Sequence, residues 1–163
     1  MTTTLQIRPA QPSDVADILA MIRELAEFEH LSHLVEATEA KLMADLFGSQ
    51  PAAECVVATV GDSPAGFALF FHNYSTFLAK RGLYLEDLFV RPAFRRHGVG
   101  KALIRHLGRL AVERGCGRFE WCVLDWNANA IAFYQGLGAT VMPDWRLCRV
   151  TGDALTAIAQ PDA

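Results

Sequence analysis

The chain has 163 residues, of which 52% are apolar and 20% charged, with a net charge of −3. That size and apolar share fit one domain with a buried core and exclude a disordered segment. Mild acidity argues against a nucleic-acid binder that relies on bulk charge, and no apolar run is long enough for a secretory leader or a membrane span. The four cysteines, Cys55, Cys116, Cys122 and Cys148, form no CxxC pair. Free thiols in a cytoplasmic protein are therefore expected, not disulfides or a metal cluster.

In chain order, a short strand is expected over 5–8, ended by Pro9. Apolar residues at Val15, Ile18, Leu19, Ile22 and Leu25 then fall at helical spacing, with Ser13 or Asp14 as cap. That helix ends among acids, Glu24, Glu27 and Glu29. A second helix is expected from Thr38 to a cap at Gly48. Two strands, over 54–60 and 66–72, flank the turn residues Gly61, Asp62, Ser63 and Pro64. A polar loop over 73–82 leads to a buried strand over 84–90 carrying Glu86 and Asp87. Beyond Pro92 lie a basic, glycine-containing loop and a helix to about Arg114. A strand over 118–124 follows, then a helix capped by Asn127 and holding Ile131, Phe133 and Tyr134. Strand-like pieces near Val141 and over 145–150 precede a last short helix from about Gly152. Early strands join by tight turns and only later ones by helical crossovers, so a mixed α/β sheet with helices on both faces is expected.

The loop after the buried strand has the makings of an anion site, because amides at a helix start face outward and glycines permit close approach. Two phosphate loops fail on spacing. A P-loop needs glycine where Arg95 stands and Ser or Thr where Ala102 stands. The dinucleotide fingerprint needs a third glycine at Leu103. What remains is Arg95-x-x-Gly98-x-Gly100.

That pattern is similar to the acyl-CoA loop of the GNAT superfamily of N-acetyltransferases. The chain resembles its diamine (spermidine/spermine) and thialysine branch through Ile7-Arg-Pro-Ala10, Glu24-Leu-Ala26, Tyr84-Leu-Glu-Asp87, Leu124-Asp-Trp-Asn127 and Phe133-Tyr134. The likeness spans about residues 5–159. It implies a single N-acetyltransferase domain over 1–163, with a six- to seven-stranded mixed sheet and acetyl-CoA as co-substrate. The cofactor contacts would be the 95–101 loop (Arg95, Arg96, His97, Gly98, Val99, Gly100 and Lys101), with backbone groups of Phe89 and Val90 and the side chain of Asn127 on the pantetheine arm.

The chemistry is direct transfer to a primary amine in a ternary complex. Roughly one alkyl amine in 2,500 is neutral at pH 7, so a base is needed. Glu86 is the first candidate, through water, and Asp87 the second; neighbours on a strand face opposite sides, so one of them reaches the cleft. Tyr134 would protonate the leaving thiolate. By resemblance, Glu29 contacts the acceptor. Ser75 and Thr76 follow Tyr74 where spermidine/spermine enzymes carry an acid, as in the thialysine branch. The acceptor is then a polyamine or diamine, or a thialysine- or lysine-like amino acid. Homodimerisation through 146–150 and the first helices is implied as well. Other readings are a peptide or protein amine acetyltransferase and a non-catalytic acyl-CoA sensor. His30 and His33 lack a third ligand, so no metal is expected. Arg91, Arg95, Arg96 and Arg105 lack the interleaved aromatics of a nucleic-acid groove.

Overall fold

Four strands pair antiparallel, the first joined to the second through two helices and the next connections being tight turns, and one helical crossover adds a fifth strand in parallel. This is the arrangement in the computed structural model, which describes residues 4–161. The sheet order follows the chain: β1 (Leu5–Pro9), β2 (Glu54–Val60), β3 (Ser63–Ser75), β4 (Lys80–Val90), β5 (Arg118–Trp121). β1 to β4 pair antiparallel, whereas β4 and β5 are parallel and joined through α3 (Val99–Glu113). Between β1 and β2 come α1 (Val15–Phe28) and α2 (Glu39–Phe47).

One sheet face is covered by the first two helices. Val15, Ile18, Leu19 and Met21 of α1 and Leu42 and Leu46 of α2 pack with Cys55, Val57, Phe67 and Phe89. α3 buries Val99, Leu103, Leu107 and Ala111 at four-residue spacing, together with Ile104. Each such aliphatic side chain contributes about 1.5–3 kcal/mol when fully buried. Asp14 does not cap α1 with its side chain. Its carboxylate accepts two bonds from Arg8, at 2.7 and 2.9 Å, and one from the Gln11 amide. The Arg8 hydrogen bonds hold its pKa below the usual range. Thr38 does cap α2, accepting from the Lys41 amide. Gly48 ends α2 in an extended conformation (φ −71°, ψ −179°), not a left-handed one.

Three expectations need correction. The sheet has five strands among the described residues, not six or seven. Residues 122–124 leave β5, and the pieces near Val141 and over 145–150 form no strand. Those pieces are exposed and have no strand beside them among the described residues, and an apolar run without a pairing partner is not a strand. The polar stretch 73–82 is mostly paired: Asn73, Tyr74 and Ser75 face Gly82, Arg81 and Lys80, leaving 76–79 as the tip. Polar residues are at home on an exposed hairpin, so polarity alone misread it.

Residues 1–122 and 123–163 form two compact units. The second holds α4 (Ala128–Gly136) and α5 (Gly152–Ile158). No helix among the described residues is long and apolar enough to cross a membrane.

Candidate active site

The centre of the first unit's site is an irregularity in β4. Leu69 pairs with Asp87 and the next residue, Phe70, pairs with Leu85, so Glu86 is an extra residue with no partner on β3. This β-bulge shifts the phase of the strand. In a regular strand Leu83, Leu85, Asp87 and Phe89 would share one face. Here Leu85 lies opposite Phe70, whereas Asp87 and Phe89 lie opposite Leu69 and Phe67 on the face packed by α1. Glu86 is exposed and Asp87 half-buried.

Burial, then the nearby charges of Glu86 and Glu29, push the Asp87 carboxyl up to about 6. Glu29, the residue that ends α1, is itself raised by burial. The three acids therefore form one electrostatically linked group in which Asp87 is the member poised to take a proton near neutral pH. Sequence reasoning placed Glu86 first and Asp87 second as candidate bases, and in the structure Asp87 is the more buried of the two. The bulge that sets them apart has no signal in the residue pattern.

β5 pairs with β4 only from Gly82 to Leu85, so β4 continues past its partner over 86–90. Phe89 is buried, and the Val90 carbonyl accepts from Arg95 Nε at 2.9 Å. The Arg95 guanidinium also lies 5.3 Å from the Phe28 ring centroid and 5.6 Å from that of Phe89. One turn earlier in α1, Glu24 accepts from Arg91 at 2.9–3.1 Å, and Arg91 also donates to the Pro64 carbonyl. Glu24 is thus a strut between α1 and the end of β4.

The loop that follows fits a phosphate-bearing ligand. Arg96 (φ 65°) and Gly98 (φ 79°) both adopt left-handed backbone, and nothing lies within 4 Å of where a Gly98 Cβ would stand. Helical bonding in α3 begins with the Ala102 amide on the Gly98 carbonyl. The amides of Val99, Gly100 and Lys101 precede that bond and have no partner within the helix. Arg96, His97 and Lys101 are exposed around them, whereas Val99 turns into the core.

Ser75 and Thr76 are not brought to the acids. They sit at the hairpin tip opposite Lys80, and six strand residues separate Lys80 from Glu86, roughly 20 Å. Ser75 is buried and its hydroxyl accepts from the Leu78 amide, closing the tip. A cavity of about 360 Å³ is lined by Arg23, Glu24 and Glu27 of α1 and by Ser32 and Val35 after it. Among the described residues no group of three or more His, Cys, Asp or Glu side chains could hold a metal ion.

In the second unit Asn127 caps α4, its side-chain oxygen accepting from the Ala130 amide at 3.2 Å. Tyr134, half-buried, lies with its ring centroid 5.4 Å from that of Phe133.

Residues 18–139 match the Acetyltransferase (GNAT) family. The chain is 40% identical to an L-ornithine N5-acetyltransferase of Arabidopsis thaliana, over 94% of this chain and 87% of that one. It is 41% identical to a thialysine N-epsilon-acetyltransferase of Mus musculus, over 94% and 96%. Among solved structures, an integron cassette protein from the mobile metagenome of V. cholerae superposes with a TM-score of 0.81 at 24% identity, over 99% of both chains, a likeness of fold.

Proposed function

Because the chain belongs to the GNAT acetyltransferase family, we propose that this acetyl-transferring enzyme uses acetyl-CoA to acetylate the primary amine of a small cationic acceptor in a ternary complex. The acceptor class is a polyamine or diamine, or an amino acid with an aminoalkyl or aminoethylthio arm. The named activities of the ornithine and thialysine relatives support the amino-acid members of that class. The observation that carries the reading is Asp87: a carboxyl held at about 6, grouped with Glu86 and Glu29.

Acetyl-CoA, when bound, supplies the activated acetyl group. The amides of 98–101 with Arg96, His97 and Lys101 would hold its diphosphate, and the β4 edge at Phe89 and Val90 its arm; a contact of Asn127 with that arm rests on the resemblance. Asp87 takes the proton of the incoming ammonium, directly or through water beside Glu86. A base with a pKa near the working pH suits that task. The negative field of Glu29 and Glu86 holds the acceptor's second, still protonated amine. Tyr134 gives a proton to the departing thiolate, a role that rests on the resemblance. Ser75 and Thr76 lie too far from Asp87 within one chain to contact the same small acceptor. We assign them to acceptor binding only across a homodimer, whose mass light scattering reads. The whole chain, 1–163, acts as one domain, in keeping with a family match that spans residues of both units. Four free cysteines favour the cytoplasm.

The test is incubation with acetyl-CoA and a panel of polyamines, ornithine, thialysine, lysine and peptides, read by mass. A mono-acetylated small amine is expected. CoA binding without acetylated product would point to a sensor instead, and acetylated peptides alone to a protein acetyltransferase. Tyr134→Phe should lower turnover far more than CoA affinity; equal turnover would remove its acid role.

A further inference from the structure

We infer that Arg95 is a latch through which binding at the glycine loop strengthens binding of the cationic acceptor at the end of α1. The inference rests on the acetyl-CoA and amine reading above. One side chain touches both ends: its Nε donates to the Val90 carbonyl at the cofactor edge, and its guanidinium lies over Phe28 and Phe89. Phe28 is the last residue of α1 and immediately precedes Glu29. Phe89 shares a face of β4 with Asp87. The resting guanidinium thus adds steric bulk over the ring that precedes Glu29 and over the ring on the Asp87 face of β4.

A diphosphate on the adjoining loop attracts that guanidinium, because Arg prefers bidentate phosphate contacts to a ring face. Drawing it towards the loop unloads Phe28, the residue before Glu29. The body of α1 stays fixed meanwhile, since Arg91 grips Glu24 one turn earlier. Only the last turn, with Phe28 and Glu29, answers to the loop. Lysine cannot copy this, having neither the Nε fork nor the plane. Arg95 is accordingly a positioning residue that also favours cofactor-first binding.

The experiment is calorimetric titration of an amine acetylated in the panel, with and without saturating CoA as the unreactive partner. In the unmodified enzyme CoA should tighten the amine about fivefold or more, and the amine should tighten CoA by the same factor, as linkage requires. In Arg95→Lys, and separately in Phe28→Leu, the factor should fall to within about twofold of unity while thermal stability is retained. Phe28→Leu leaves the loop intact, so it tests the latch even where Arg95→Lys weakens CoA binding or folding. Absence of coupling in the unmodified enzyme, or full coupling in Phe28→Leu, overturns the inference. Failure of the parent reading looks different: no amine in the panel is acetylated at all.

Discussion

Replacing Asp87 by asparagine separates the cost of this residue from its use. A carboxyl with a folded pKa of about 6, against an ordinary 3.8, penalises the folded state once it ionises. The sign follows from linkage: the unfolded chain releases this proton first, so stability falls as pH rises from about 4 to about 6 and is level above. Fully ionised, the penalty is about 3 kcal/mol. Asp87→Asn should therefore raise the melting temperature at pH 8 by about 6–12 °C for a domain of this size, and by far less at pH 4. The same variant should lose about 10²–10⁴ in kcat/KM, together with the acid limb near pH 6 expected of the unmodified enzyme. The assays are calorimetric scans at the two pH values and a pH–rate profile. A gain in stability independent of pH would refute burial as the source of the shift. An acid limb near 6 surviving in an Asp87→Asn, Glu86→Gln double variant would refute both acids as the base.

Gly98→Ala should cost about 1–2 kcal/mol from the left-handed backbone alone, since no atom stands where the new methyl would go. CoA affinity should fall more than stability suggests, because the methyl points into open space above the loop; an unchanged affinity by calorimetry would remove the loop from the cofactor site. Burial pushes the Cys55 thiol up to about 12. At pH 8 an alkylating reagent should therefore modify the exposed Cys122 and Cys148 well before Cys55 in peptide mass maps; early labelling of Cys55 would contradict its place in the core.

Much of the fold was legible because its signals are local. Val15, Ile18 and Leu19 at helical spacing, Gly61 in a tight turn, and the Gly98 loop ahead of α3 each depend on a few neighbouring residues. What escaped depends on partners distant in the chain. Residues 145–150 are as apolar as a strand, yet none of the described residues pairs with them in a sheet. Asn73 and Tyr74 look like loop, yet Gly82 and Arg81 complete their ladder. At the site, the type of each residue was readable and its surroundings were not. Glu24 read as one more acid at the end of the first helix, but Arg91 claims it. Glu86 stood ahead of Asp87 in the sequence, but only β3 shows their surroundings, giving Asp87 a partner and Glu86 none.

That unpaired position gives β4 a degeneracy. If the bulge moved by one residue, Glu86 would face Leu69, Asp87 would swing out, and Leu85 and Leu88 would keep the partners they have. Two threadings of the same strand thus differ only in which of two neighbouring acids is drawn inward. The aspartate and the glutamate are interchangeable in charge and differ by a methylene, so the sheet holds a spare carboxylate next to the one in use. Deleting one residue here would remove the bulge and the choice together.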